Sequence, residues 1–312
     1  MSKVSITYDS EVSALDDDWI AGPLRSPAQM LHDQSYDGHK SIHDDDTADR
    51  LGFRAGPIEG PTHFSQFDPP CVEAFGQEWH ANGCISAHFR NMVVEGERCR
   101  AFLKKRSDSI ADIRMEKEDG TEVLAGTASI GTADETALRA RLGTVRPLEP
   151  KIIMRDVEVG LTSPRMPIHM HANQHMGDLY PFTLEQKLEK ITERPIEADA
   201  AKDAAPIIPM EMISVLAHYT ANGFPVRGPV VGLFADLEIR VIDGPLRSDE
   251  EYEVEKEVVA LSGSRRTESL WVESRIYRSG ADTPCAIVLL NSASLKDSFK
   301  GYAEEEAALA AA

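Results

Sequence analysis

Residues 109–131, SIADIRMEKEDGTEVLAGTASIG, read as a β-hairpin. Ala111, Ile113 and Met115 alternate with Asp112 and Arg114, so one face of the first arm is buried and the other wet. Asp119-Gly120 supplies a turn that accepts positive φ, and a second apolar run follows over 122–131. Further strands are expected at 84–90 and 98–104, which makes an antiparallel meander. Ahead of it, Phe64, Phe67, Cys71, Val72, Phe75 and Trp79 recur at helical spacing and predict a helix over 61–82. Pro61 suits its first position, Asn82-Gly83 its stop, and Pro69-Pro70 a kink or restart within it.

The same order returns in the second half. An apolar helix is expected over 209–222, then strands at 231–242, 251–261, 269–278 and 285–292, with Ser262-Gly263-Ser264 and Ser279-Gly280-Ala281 at turns. A helix followed by about four antiparallel strands, occurring twice, points to an internal duplication of fold without visible sequence identity. A short helix over 133–142 and a linker over 143–150 separate the halves, giving units of 1–148 and 149–312. Residues 192–205 are polar and Ala/Asp-rich and read as an exposed loop, and 303–312 as a helical or frayed tail.

Composition narrows the function classes. The chain has 312 residues, with 52 acidic against 33 basic and a net charge of -19, which argues against nucleic acid and anionic membrane surfaces as partners. The four cysteines form no CxxC pair and are read as reduced thiols, the first three buried. The N-terminal segment has neither the basic nor the apolar region of a secretion signal, and no run of about 18 apolar residues occurs. A cytoplasmic location is the expectation.

Chemistry concentrates in residues 36–66, YDGHKSIHDDDTADRLGFRAGPIEGPTHFSQ. His39, His43 and the aspartates 44–46 precede Gly52-Phe53, a Gly/Pro turn and the helix start at Gly60-Pro61-Thr62. Acid/base groups beside a helix N-terminus suit proton transfer next to a carbonyl, with free N–H groups to hold an oxyanion. The aspartate run also suits plain capping of a short helix over 47–51, by Asp44 or Asp45.

The pattern Ile42-His43-x-Asp45-x-x-Ala48-x-x-x-Gly52-Phe53, then Gly56-Pro57-Ile58 and a helix start, resembles the MaoC-like (R)-specific enoyl hydratases of the hotdog superfamily. The likeness is strongest over 36–66, weaker to Gly131 and architectural beyond. It implies an α+β double hotdog, two units each with a long central helix wrapped by an antiparallel sheet. It also implies a catalytic role for His43. The family's partner aspartate falls on Gly38, so Asp37 and His39 compete for that role. The family's helix-start residues are replaced by Ile58-Glu59-Gly60-Pro61; Pro61 removes one N–H and leaves Gly60, Thr62 and His63 as oxyanion donors. Glu59 is an added acid/base group or a charge at the positive helix end.

Other features are weighed beside this. His63 either lines the site or lies on the surface, His88 reads as a core or sheet-face histidine, and His218, on the second helix, as a core or interface one. Lys104, Lys105 and Arg106 are candidates for the phosphates of coenzyme A or a phosphopantetheine arm, or ordinary edge protection. His169, His171 and His175 offer ligands, yet no cysteine or paired carboxylate completes a set, so no metal and no cofactor are expected. The implied reaction is reversible hydration or dehydration of an α,β-unsaturated acyl thioester by His43 with Asp37 or His39, in a chain that can pair as a homodimer. A hotdog thioesterase using Glu59 or Asp45, and a ligand-binding double hotdog without catalysis, are the alternatives.

Overall fold

The structure is a computed structural model that describes residues 5–36, 38–132, 135–198, 204–220 and 223–311. Its frame is an 11-stranded sheet. In chain order the strands are β1 (Ser13–Ala14), β2 (Trp19–Ala21), β3 (Gly83–Phe89), β4 (Cys99–Lys105), β5 (Ile110–Lys117), β6 (Glu122–Ile130), β7 (Met166–Ile168), β8 (Gly232–Val241), β9 (Tyr252–Gly263), β10 (Thr267–Arg278) and β11 (Ala286–Leu295). Across the sheet they run β7-β9-β10-β11-β8-β3-β6-β5-β4-β2-β1. Read outward from the middle, each side gives the same sequence of connections. The strand after the helical segment is innermost, the last strand of the meander lies next to it, and the strand before the helical segment lies outside the meander. This is a double hotdog.

The two sides join through β3 and β8, which pair antiparallel from Asp236↔His88 to Arg240↔Cys84. Ile85 and Ala87 of β3 and Leu237 and Ile239 of β8 are all fully buried, so the seam lies within one continuous core. Alternation decides which face is inside. Cys99, Ala101 and Leu103 of β4, and Ala111, Ile113 and Met115 of β5, point inward against Phe64, Phe67 and Cys71. Each buried Phe of this kind contributes roughly 2–3 kcal/mol. The opposite face is also covered: Leu138 of a short helix packs on Trp271 and Leu289.

The helices are α1 (Asp45–Arg50), α2 (Asp68–Phe75), α3 (Glu78–Asn82), α4 (Ala137–Leu142), α5 (Leu184–Lys190), α6 (Met210–His218) and α7 (Tyr302–Ala310). The single helix expected over 61–82 is in fact three pieces. Residues Gly60–Phe67 form a tight 3-10 stretch, α2 follows, and Gly76 at φ 67 breaks the chain before α3. The cause is Pro69-Pro70: neither has the N–H that α-type bonding to the carbonyls of Ser65 and Gln66 would need. The Asp68 N–H bonds the Ser65 carbonyl instead, in the tighter 3-10 pattern.

Residues 192–205 also differ from expectation. Glu193 is 2% exposed and accepts from Arg25 Nε at 2.6 Å, while Ile196–Glu197 pairs with Ile6–Thr7. That segment straps the N-terminal end of the chain to the second side, and its residues 199–203 lie outside those described. All four cysteines are free and buried. Among the described residues no helix is long and apolar enough to cross a membrane.

Candidate active site

The loop after the short ladder Ser35–Tyr36/His39–Lys40 turns into α1, which Asp44 caps by accepting from Thr47 N at 2.9 Å. The chain then doubles back, and Gly56 N donates to Asp45 Oδ1 at 2.8 Å. A Cβ on Gly56 would stand 2.2 Å from the His43 carbonyl oxygen, so only glycine lets the two arms touch. Asp44 and Asp45 therefore hold the loop in shape.

This closure brings the Pro57 carbonyl to His43, whose Nδ1 donates to it at 2.6 Å. With Nδ1 carrying the proton, Nε2 holds the lone pair. Burial pushes the imidazole down to about 4, against the opposing pull of the Pro57 hydrogen bond. At neutral pH His43 is thus a neutral base, fixed by a backbone carbonyl. His39 is not its partner: its Nδ1 meets the Lys40 carbonyl at 2.8 Å and its ring lies edge-on to Tyr36. Asp37, the other candidate, lies outside the described residues.

Two residues beyond Pro57 stands Glu59, at the N-cap of the 3-10 stretch and 7% exposed. Among the described residues no group hydrogen-bonds its carboxyl. Burial pushes it up to about 7; Lys187 opposes that shift and Glu211 adds to it. The neighbouring oxyanion donors differ from expectation. The 3-10 turn commits Thr62 N–H to the Glu59 carbonyl at 3.1 Å, and Pro61 has none to give. Among the described residues Gly60 N–H remains without a hydrogen-bond partner. The Phe89 ring lies over Gly60 so closely that a Cβ there would come within 2.6 Å of it.

The sequence reading missed what lies behind Glu59. Lys187 of α5 is 3% exposed, donates to Thr62 Oγ1 at 2.9 Å and forms an ion pair with Glu211 Oε1 at 2.7 Å. Ser65 Oγ donates to the other Glu211 oxygen. Glu211 is 2% exposed, in the first turn of α6, so this cluster links the helical segments of the two sides. A signal was present: Thr183 and Gln186 form a capping box, and Lys187 shares a face with Leu184 and Leu188. A lysine on an apolar stripe needs a buried partner.

The remaining candidates fall elsewhere. His63 is not on the surface; it is 2% exposed, 3.9 Å from Cys99 Sγ, and burial pushes it down to about 3, with Lys187 adding to the shift. Lys105 pairs with Asp108 and Arg106 with Asp112, while Lys104 is partly exposed beside them. They lie at the end of β4 remote from Cys99, roughly 20 Å along the strand from it at about 3.3 Å per residue. A cleft of about 260 Å³ instead opens on the other side of the His43 loop, lined by His39, Lys40, Arg50, Val230 and Ser298 among others.

No family model matches this chain, and no curated protein matches it in sequence. Several solved structures align with most of this chain. One is a conserved hypothetical protein of Mycobacterium tuberculosis described as a double hotdog, 11% identical, TM-score 0.48, covering 95% of this chain and 97% of that one. Another is the dehydratase domain of RzxB from Pseudomonas fluorescens, 10% identical, TM-score 0.47, covering 90% and 96%. A MaoC-like dehydratase is 15% identical, TM-score 0.41, covering 94% and 98%. Structures named as thioesterases also stand among them. At these identities the likeness concerns architecture, and the fold assignment rests on the chain's own strand order and register.

Proposed function

We propose that this double hotdog is an acyl-thioester hydro-lyase, adding water to an α,β-unsaturated acyl group or eliminating it from the 3-hydroxy form. One observation carries the reading: His43, bonded to the Pro57 carbonyl, and Glu59, two residues beyond Pro57, are driven in opposite directions, His43 down to about 4 and Glu59 up to about 7. Such a pair divides into a base and an acid between those values. Elimination needs both. His43 Nε2 takes the α-proton, and the protonated Glu59 gives its proton to the departing hydroxyl. Gly60 N–H polarises the thioester carbonyl as the enolate forms. Hydration runs the same steps backwards, His43 returning the proton to the α-carbon.

The cluster of Lys187, Glu211, Thr62 and Ser65 sets the electrostatics of Glu59 from behind. The carrier's phosphates would meet Lys40 and Arg50 at the cleft, in preference to the more distant Lys104, Lys105 and Arg106. No cofactor is needed for this chemistry.

The test is turnover of crotonyl- and 3-hydroxybutyryl-thioesters, followed by the ultraviolet absorbance of the enoyl thioester. His43→Ala should lower kcat/KM by roughly 10²–10⁴-fold with the fold intact. An unimpaired variant would overturn the assignment. A thioesterase is the second reading, favoured by a carboxyl at a helix start beside an unpaired N–H. Release of free thiol from saturated acyl thioesters, without change in enoyl absorbance, would select it.

A further inference from the structure

A second cluster lies on the far side of the sheet, independent of the reading above. β7 pairs antiparallel with the start of β9, Ile168 opposite Tyr252. One step further along that register puts His169 opposite Glu251. His171, two residues on, returns to the same face, and the two imidazoles stack with centroids 4.8 Å apart. Glu251 reaches toward both: Oε2 is 3.8 Å from His169 Nδ1, and Oε1 is 3.6 Å from His171 Nε2.

These separations are too long for hydrogen bonds. They approach the gap between two ligand atoms that share one ion, roughly 3.4 Å for bonds of about 2.0–2.2 Å at a tetrahedral angle. All three ligand atoms lie within 4.8 Å of one another. The backbone is already set. His171 Nδ1 donates to the Ser248 carbonyl at 3.1 Å, which leaves the lone pair on Nε2, facing Glu251. Metal-bound histidines are oriented by this kind of outer hydrogen bond. Tyr219 Oη accepts from His169 N at 3.2 Å and donates to its carbonyl at 2.7 Å, clamping that residue from both sides. The Glu251 carbonyl accepts from Ser279 N at 2.8 Å. All three side chains reach solvent, and the net charge of -19 favours a cation there.

We propose that His169, His171 and Glu251 bind one divalent transition-metal ion, with zinc the best match to a two-imidazole, one-carboxylate set and water in the fourth place. The sequence lacks a carboxylate near the histidines because it comes from residue 251, across the strand pair. The ion would tie the segment after β7 to the start of β9. That segment runs on to Tyr180, Phe182 and Lys187, so the tie would steady the chain that leads into the buried cluster.

The experiment uses the full chain without an affinity tag, stripped with chelator and titrated calorimetrically with Zn²⁺. One Zn²⁺ per chain is expected, with a rise in Tm on loading. His169→Ala, His171→Ala and Glu251→Gln should each weaken binding at least tenfold, and His175→Ala should leave it unchanged. Circular dichroism confirms that these exposed substitutions keep the fold. Absence of stoichiometric binding, or equal binding by a variant lacking all three groups, would overturn the proposal.

Discussion

Replacing Glu59 by Gln removes a carboxyl that burial holds up at about 7, against an ordinary value of 4.5. A carboxyl whose folded value is raised contributes its stability fully below 4.5, and that contribution is lost as pH rises through about 7. The loss follows from the difference in protons bound by the folded and unfolded chains. At about 1.36 kcal/mol per pH unit, it amounts to roughly 2.5 kcal/mol between pH 5 and pH 8. Gln keeps the volume and cannot ionise, so its effect on stability should turn more favourable by about that amount over the same range. Urea denaturation of both proteins at the two pH values gives a double difference from which all other titrating groups cancel. Agreement between the two pH values to within about 0.5 kcal/mol would show that Glu59 is not held protonated, and the acid role assigned to it would fall with that result.

The pH dependence of turnover should be bell-shaped. It should rise as His43 loses its proton near 4 and fall as Glu59 loses its own near 7, read from kcat/KM across pH 4.5–9 and from the fall alone if the acid limb meets unfolding. Lys187→Met leaves Glu211 buried without its cation and should cost about 3–5 kcal/mol in denaturant unfolding. Because Lys187 holds Glu59 down, the same variant, where it folds, should move the alkaline limb of the profile to higher pH. A limb that stays in place would separate Lys187 from the site.

The architecture was largely legible because its evidence is local. The alternation in β5, the Asp119-Gly120 turn and the repeat of helix-then-strands all lie within short windows, and the observed strands follow them to within a few residues. The loop that carries His43 was legible in its Asp44 cap. The group that holds His43 Nδ1 was not, because it is the Pro57 carbonyl, and any residue supplies a carbonyl. Thr62 was named as an oxyanion donor because an α-type first turn would leave its N–H free, whereas the 3-10 turn commits it to the Glu59 carbonyl. Lys187 and Glu211 escaped notice because each looks ordinary on its own helix. Only tertiary structure sets them against Thr62 and Ser65, more than a hundred residues earlier.

That last separation sets a timetable for the chain's synthesis. When residues 60–67 leave the ribosome, β3–β6 follow directly and can close around them. Lys187 and Glu211 arrive only after well over a hundred further residues, several seconds later at roughly 5–20 residues per second. Until then Thr62 and Ser65 face no charged partner, and Glu59 has neither the cation nor the acid that tune it. The nascent first half can thus hold a folded sheet, a looped His43 and Glu59 while that carboxyl is not yet tuned by Lys187 and Glu211. The proposed chemistry would begin only when α5 and α6 dock, so an interrupted translation product would be folded in part and silent.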